Sequence, residues 1–507
     1  AFGVAGKEMD SANKFDIVVV GCGVAGISTV HHLITEKEYK GKIAILEARS
    51  RTGGRIEGMT IDGNHVELGA NWIHGLINNP IYSLATKYKL VDPLQPGLTL
   101  KPSKEYHICG VLSNGEVVPL TTIDNIYKTY FCILKKAENY YKKFLDGDEV
   151  NVVDFQDSVG CFIEKEVENY LKINCPNGSS TERAIFDQLI KRETCIAGCH
   201  SMNEVSLKYF GAYEELPGGN LTIPGGYSQI LLCLLNTVKN KLKEENREDH
   251  LNILLKHEVQ KIKWSGVGKK GAELVEITCS NGAVFKCNHV VVTIPLGVLK
   301  NNVQTLFEPK LPQYKLDCIQ SMGFGVVNKI YLEYKTRLCP YFWASDLDEL
   351  FCFWSGVGDE WFTKIYSFTK VTDRCIIGWV SGKEAETVEN LNGVDISNCL
   401  TKWLRVFTNK PDFPEPENIY VTKWGSDKFS MGSYSYISTK STVRDIELLS
   451  QPIYSDPGED KPQIVFAGEA CHPSFFSTVH GAYISGRKAA FYLLDIENEK
   501  DTKSSLK

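Results

Sequence analysis

A glycine-rich turn near the start of the chain has the spacing needed to hold a phosphate group. Gly21, Gly23 and Gly26 form G-x-G-x-x-G, directly after the apolar run F-D-I-V-V-V at 15–20. The first glycine permits a tight turn, the second lets the backbone approach a pyrophosphate, and the third lets a helix pack closely on the strand. The N-terminus of that helix offers free N–H groups and the positive end of its dipole. The turn therefore predicts a dinucleotide site between a strand and a helix.

A carboxylate and a second glycine pair follow at positions that suit the same ligand. Glu47 ends a second apolar run, K-I-A-I-L at 42–46, and a carboxylate there accepts hydrogen bonds from ribose hydroxyls. The segment E-A-R-x-R-x-G-G-R continues through Ala48, Arg49, Gly54 and Arg55, and adds arginines for the diphosphate. NAD and FAD share the first glycine pattern, so that pattern alone does not distinguish them.

The E-A-R-x-R-x-G-G-R segment resembles the signature of FAD-dependent amine oxidases, which include monoamine, polyamine and L-amino-acid oxidases. E-L-G-A-N-W-I-H-G at 67–75 is similar to the segment that passes along the flavin in the polyamine oxidase branch, the spermine and N1-acetylpolyamine oxidases. The resemblance places Gly69, Ala70, Asn71 and Trp72 beside FAD and His74 beside the substrate. A histidine with a near-neutral pKa can hydrogen-bond an amine or help to keep it deprotonated. A structural histidine is the alternative.

Lys329 stands in a segment, M-G-F-G-V-V-N-K-I at 322–330, that resembles the family strand whose lysine reaches a water beside the flavin N5. Ile330 and Leu332 follow it, and burial of an unpaired ammonium is costly. We therefore predict that Lys329 and His74 are catalytic. A buried salt bridge is the alternative for Lys329.

Further segments along the chain resemble family contacts to the cofactor and substrate. Aromatic residues supply π-faces and apolar area for an alkyl amine cation, and a carboxylate suits the ribityl chain. Departures occur at Val479 and Cys471, where the animal enzymes commonly have threonine, and the cysteine sequence that binds FAD covalently in monoamine oxidases is absent, so the resemblance implies non-covalent FAD. The cofactor candidates in these segments are Val259, Trp424, Gly468, Glu469, Thr478 and Val479; the substrate candidates are His74, Glu214, Glu215, Tyr434, Ser477 and Thr478.

The bulk composition limits the partners of the protein. The net charge of −6 argues against a nucleic-acid surface, which needs clustered Lys and Arg, and suits a cationic ligand. No apolar run reaches the length of a membrane span. We expect a polyamine and O2 as reactants, and the sequence leaves the oligomeric state open.

Cysteines and sequons bear on the compartment. The chain has sixteen cysteines and two N-x-S/T sequons, at Asn177 and Asn220, which favour secretion, with a cytoplasmic location as the alternative. Cys195 and Cys199 lack a second Cys or His pair at zinc spacing. We expect structural cysteines or a disulfide there, and no metal.

The order of strand and helix patterns predicts the architecture. From about Pro80 to Asn236, the βαβ unit at the start gives way to amphipathic helical patterns, such as 124–144 and 181–192, which predict an inserted domain. Short strands return at 252–262, 284–295 and 464–467. We predict an α/β fold with an α+β substrate part. A discontinuous Rossmann-like FAD-binding domain, 14–80, 240–300 and 455–498, is interleaved with a substrate-binding domain of mixed sheet and helices, 81–239 and 301–454. The termini, 1–13 and 499–507, are expected to be flexible.

These patterns together predict flavin-dependent oxidation of a polyamine C–N bond by hydride transfer, with hydrolysis of the imine and reduction of O2 to H2O2. An L-amino-acid oxidase is one alternative, although its substrate carboxylate needs an arginine clamp that no distinctive motif supplies. A flavin-binding interaction protein without turnover is the other.

Overall fold

The computed structural model describes residues 13–93, 106–176, 178, 180–269, 274–339, 347–456 and 458–494. The sequon positions Asn177 and Ser179, and the two termini apart from position 13, lie outside these residues. The strands are β1 (Lys14–Val20), β2 (Ile43–Leu46), β3 (Gly58–Ile61), β4 (Asn64–Glu67), β5 (Ile73–His74), β6 (His107–Leu112), β7 (Val117–Val118), β8 (Asn220–Leu221), β9 (Leu251–Leu254), β10 (Val259–Lys263), β11 (Val275–Cys279), β12 (Val284–Val292), β13 (Phe307–Glu308), β14 (Gly323–Gly325), β15 (Val327–Glu333), β16 (Leu347–Phe353), β17 (Ser367–Thr372), β18 (Cys375–Ser381), β19 (Asn418–Val421), β20 (Tyr434–Tyr436) and β21 (Ile464–Phe466). The α-helices are α1 (Val24–His31), α2 (Pro80–Lys87), α3 (Leu120–Leu145), α4 (Val159–Asn174), α5 (Ser180–Ala197), α6 (Ser228–Glu244), α7 (Leu296–Leu306), α8 (Gln313–Ser321), α9 (Lys383–Glu389), α10 (Gly393–Thr408), α11 (Val443–Ser450) and α12 (Val479–Tyr492).

An eight-stranded sheet is built around β1, in the order β13-β10-β11-β12-β1-β2-β9, with β21 paired to β12. β1 is parallel to both of its neighbours, β2 and β12. The predicted strands at 15–20 and 42–46 are confirmed, as is the return of the chain to this sheet near 284–295 and 464–467. The α/β fold predicted from the order of patterns is therefore confirmed.

The side chains of β1 alternate between two cores, which explains why its whole apolar run is buried. Ile17 and Val19 pack with α1, α6 and α12 on one face. Val18 and Val20 pack with α7, α8 and α11 on the other face. The carboxyl end of β1 thus opens toward Gly21 at the edge where ligands bind in sheets of this type.

The helical insertion predicted from about Pro80 to Asn236 is smaller than its sequence pattern suggests. α3, α4 and α5 surround a core of their own, and the helices predicted at 124–144 and 181–192 are confirmed within α3 and α5. However, α2 and α6 pack against α1 and α12 next to the first sheet. They do so because their apolar faces, such as Leu231 and Leu234 of α6, are buried there.

A seven-stranded sheet, in the order β19-β15-β18-β17-β16-β6-β7, forms the second layer. Ile330 and Leu332 of β15 face a core that α9 and α10 complete. Lys329 and Tyr331 alternate with them and therefore lie on the opposite face. None of the helices in the described ranges combines the length and the hydropathy that a bilayer crossing requires.

All sixteen cysteines fall within the described ranges as free thiols. Cys195 and Cys199 are buried, and burial raises the pKa of Cys195 to about 11. Of the two alternatives for this pair, the structure has unpaired structural cysteines and no disulfide. In the described ranges no group of three His, Cys, Asp or Glu side chains is placed to hold a metal ion.

Candidate active site

One cavity of about 1940 Å³ runs from the glycine turn to the face of the second sheet. All but two of the predicted site residues line it. The exceptions are Gly26, which packs on Gly21 and Val19, and Glu214, which is exposed and accepts a hydrogen bond from Ser474 at 3.0 Å. The lining residues from the predicted set are Gly21, Gly23, Glu47, Ala48, Arg49, Gly54, Arg55, Gly69, Ala70, Asn71, Trp72, His74, Glu215, Val259, Lys329, Trp424, Tyr434, Gly468, Glu469, Ser477, Thr478 and Val479.

The glycine turn brings two backbone segments together at one end of the cavity. Gly21 has a φ of +108°, and a Cβ there would collide with Thr293 Oγ1. Gly23 is the N-cap of α1 without a side-chain cap, so the first N–H groups of α1 face the cavity uncapped. A Cβ on Gly23 would lie 3.9 Å from the Gly53 carbonyl oxygen and 4.0 Å from Gly54 Cα. The space in front of α1 is therefore kept free for a ligand.

The acidic and basic side chains near the turn hold one another in place. Glu47 is buried and accepts hydrogen bonds from the backbone N–H groups of Cys22 and Arg49, both at 2.8 Å. The Arg49 guanidinium pairs with both oxygens of Asp427, at 2.8 and 2.7 Å. Arg55 donates to Glu469 at 3.0 Å. These contacts position the charged groups of the E-A-R-x-R-x-G-G-R segment along one wall.

The segment E-L-G-A-N-W is held against the second sheet by three donors to its carbonyl groups. Lys329 Nζ donates to the Glu67 oxygen at 2.6 Å and to the Gly69 oxygen at 2.8 Å. Tyr331 Oη donates to the same Glu67 oxygen at 2.7 Å. Trp424 Nε1 donates to the Leu68 oxygen at 3.1 Å. Lys329 thus links the segment at 67–72, which resembles the family segment along the flavin, to the second sheet.

Lys329 is a buried amine without a carboxylate partner. Its side chain is 3% exposed, and no ion pair links it to an acidic group in the described ranges. Burial lowers the pKa of Lys329 to about 7, and the nearby Glu67 charge opposes this shift. A neutral amine has two N–H groups, which the two carbonyls use, so its lone pair is free to take a proton. The buried salt bridge offered as an alternative is therefore not what the structure has.

His74 lies at the end of β5 and lines the same cavity. Its Nδ1 is 3.2 Å from Asn220 Oδ1 on β8. Burial lowers the pKa of His74 below its ordinary value, so the ring is neutral at physiological pH. A neutral imidazole held at Nδ1 by an amide oxygen carries its proton there and leaves Nε2 as an acceptor.

A second helix N-terminus faces the cavity from the other end. Thr478 is the N-cap of α12, and its Oγ1 accepts from the Gly481 N–H at 2.9 Å. Ser477 has a φ of +68° and donates to the Ser435 carbonyl. Tyr434 donates to the Cys195 carbonyl, and Val259 at the start of β10 lines the opposite end.

Glu193 and Trp379 are among the cavity residues that the sequence did not single out. Glu193 on α5 is 7% exposed and accepts no hydrogen bond within the described ranges, and burial raises its pKa to about 7. Trp379 on β18 lies with its ring centroid 4.7 Å from Lys329 Nζ. A charged residue on the buried face of a helix is the sequence signal that could have identified Glu193. For Trp379 the sequence holds no signal, because only strand pairing brings it to Lys329.

The arrangement of the residues that line the cavity fits FAD. Two helix N-termini, those of α1 and α12, open into one cavity, and such termini bind phosphate and other electron-rich groups. The buried Glu47 carboxylate lies beside the first of them, where a ribose would bind. Glu67 Oε2 is buried without a hydrogen-bond partner, as expected where a ligand completes the wall.

Comparisons with known proteins agree with this fit. The family model described as flavin containing amine oxidoreductase matches residues 24–159 and 178–494. The chain is 31% identical to a peroxisomal N(1)-acetyl-spermine/spermidine oxidase of Homo sapiens, covering 95% of each chain, and 26% identical to polyamine oxidase 1 of Oryza sativa subsp. japonica, covering 95% and 98%. Wild-type putrescine oxidase bound to putrescine matches at a TM-score of 0.67 and 17% identity over 94% of this chain and 98% of that one, which shows the fold alone. The chain therefore belongs to the flavin containing amine oxidoreductases, and it is an FAD-dependent amine oxidase.

Proposed function

We propose that the protein oxidises a polyamine of the spermine or N1-acetylpolyamine type at a C–N bond. The reaction consumes the amine, O2 and water, and it yields an aldehyde, a shorter amine and H2O2. The observation that carries this proposal is the single cavity that contains Lys329, His74 and the unpaired Glu193 together with the glycine turn. The relatives named above, an N(1)-acetyl-spermine/spermidine oxidase and a polyamine oxidase, support the same substrate class.

The chemistry that FAD supplies when bound is to accept a hydride from the carbon next to the amine nitrogen and to pass two electrons to O2. The protein must then present that nitrogen without its extra proton, because an ammonium has no lone pair to assist hydride loss. Lys329, whose lone pair is free when it is neutral, accepts this proton through a water. His74, held neutral, hydrogen-bonds the amine and orients it. Water then hydrolyses the imine.

We propose that carboxylates along the cavity bind the remaining ammonium groups of the substrate. Glu138, Glu193 and Glu215 line the cavity, and Glu193 is the most buried of them. Because its carboxylate is unpaired, a cation that binds there recovers the free energy lost by desolvation.

Glu193→Gln should weaken polyamine binding. We expect KM for spermine to rise about 10- to 100-fold, as for loss of one partly buried charge pair, with a much smaller change in kcat. In the wild type KM should fall as pH rises through about 7, because the Glu193 proton must leave before a cation binds. Steady-state peroxide assays at several pH values measure both effects.

Glu182→Gln is the matched control, since Glu182 lies in the first turn of the same helix, is half-buried and does not line the cavity. It should leave KM unchanged. A Glu193→Gln enzyme with wild-type KM for spermine would remove Glu193 from the binding site.

A panel of amines tests the substrate class. Peroxide formation with spermine, N1-acetylspermine and spermidine, and none with tyramine or L-leucine, is the expected result. Arg192, beside Glu193, lines the cavity and is the arginine that an amino-acid substrate would need. Activity with L-leucine alone would therefore favour the amino-acid alternative. A yellow, FAD-loaded protein that forms no peroxide with any of these amines would favour the flavin-binding interaction protein without turnover.

We also propose the domain division at 14–80, 240–300 and 455–498 for FAD and 81–239 and 301–454 for substrate. It is supported by the first sheet, whose strands fall in the former segments apart from the short β13. Secretion, with a cytoplasmic location as the alternative, is our proposal for the compartment. The sequon residue Asn220 is exposed, although it also lines the cavity beside His74.

A further inference from the structure

The Lys329 amine has a third neighbour besides the two carbonyl groups, an aromatic ring. Lys329 on β15 and Trp379 on β18 are directly paired in antiparallel register, so their side chains share one face of the sheet. Lys329 Nζ lies 4.7 Å from the centroid of the Trp379 ring. This distance is within the range in which a ring face attracts an ammonium.

A second indole holds the Trp379 ring in this place. Trp72 stacks on Trp379 with centroids 5.8 Å apart and an interplanar angle of 19°. Trp379 is half-buried, and the Lys329 side chain is 3% exposed. A cation–π contact to such a desolvated amine is stronger than one at an exposed site.

Few charged groups besides this ring influence the protonation of the Lys329 amine. Glu67 acts on Lys329 at longer range, and its Oε1 is already engaged by the Tyr227 N–H at 2.6 Å and by His65 at 3.1 Å. The other titratable groups on the neighbouring strands are bound to partners or neutral. Tyr331 donates to the Glu67 carbonyl, Lys370 of β17 pairs with Asp373, and Tyr420 of β19 donates to Glu333. Cys375 of β18 is a buried thiol whose pKa burial raises to about 12.

We propose that Trp379, backed by Trp72, is a positioning residue that holds the Lys329 amine by a cation–π contact and favours its protonated state. The ring attracts the ammonium and not the neutral amine, whereas both carbonyl hydrogen bonds persist in either state. Trp379 therefore sets how readily Lys329 takes up and releases a proton. The consequence for turnover rests on the proposed function, in which Lys329 takes a proton from the substrate.

The test compares Trp379→Leu with Trp379→Phe, which keeps a ring of weaker attraction. Lysine labelled with ¹³C at Cε reports the protonation of Lys329 in the FAD-loaded protein without substrate, and Lys329→Arg assigns its signal. We expect Trp379→Leu to lower the titration midpoint by about half to one and a half pH units and Trp379→Phe to restore most of it. Trp403→Leu, on the opposite side of the second sheet, should change nothing.

Trp72→Leu provides a second variant that leaves Trp379 in place, and a smaller downward shift is expected. An unchanged ¹³C midpoint in Trp379→Leu would overturn the proposal. The pH profile of peroxide formation from spermine is a separate readout. A shifted ¹³C midpoint with an unshifted activity profile would keep the role of Trp379 and count against the catalytic role of Lys329.

Discussion

Lys329→Met should produce a yellow protein that turns over very slowly. Methionine fills a similar volume without a titratable group, so no side chain remains to accept a proton at that position. We expect the rate at which spermine bleaches the flavin absorbance under anaerobic conditions to fall about 10²- to 10⁴-fold. FAD should stay bound, because the Nζ contacts of Lys329 go to backbone carbonyls of the chain itself.

The pH profile separates a proton acceptor from a merely structural lysine. With a Lys329 pKa of about 7, the wild-type rate should rise as pH passes through 7, since only the neutral amine accepts a proton. That limb should be absent from Lys329→Met. Lys300→Met is the control: Lys300 is half-buried and donates to the Gln320 carbonyl, and it does not line the cavity. An unchanged rate and profile in Lys329→Met would remove Lys329 from the chemistry.

The local patterns of the sequence predicted the first sheet well, because each of its predicted strands and helices corresponds to one continuous run of apolar residues or helical spacing. The run before Gly21 is buried on both sides, and buried β-branched runs indicate parallel strands whatever surrounds them. The helical pattern from 80 to 236 was less informative about position. An amphipathic face shows that a helix packs, but not on which partner, so the place of α6 beside α1 had to come from the structure.

Site residues that depend on tertiary contacts could not be read from motifs. Lys329 was singled out because its segment resembles the family strand that carries a lysine, and because a charge inside an apolar strand is unusual. Its partners, the carbonyls of Glu67 and Gly69, carry no side-chain signal and lie about 260 positions away in the chain. Glu215 lines the cavity whereas its neighbour Glu214 turns to Ser474, a difference that adjacent identical residues cannot reveal.

Gly23→Ala should yield a folded protein that binds FAD poorly. Gly23 has φ −86° and ψ −170°, which alanine adopts without strain, and the nearest atom to a new Cβ is the Gly53 oxygen at 3.9 Å. The methyl group would instead occupy the space through which a pyrophosphate approaches the N-terminus of α1. We expect the Kd for FAD to rise about 100-fold, which corresponds to about 2.7 kcal/mol. Titration of the FAD-free protein with FAD, followed by fluorescence, measures this change.

Folding and binding are separated by comparing FAD-free proteins, because bound FAD stabilises the native state by mass action. In that form Gly23→Ala and the wild type should unfold at the same temperature. Gly393→Ala is the matched control, since a Cβ at the start of α10 meets no atom within 4 Å and Gly393 does not line the cavity. It should bind FAD as the wild type does. Wild-type affinity in Gly23→Ala would mean that the diphosphate does not lie at α1, and the assignment of Glu47 to the ribose would be lost with it.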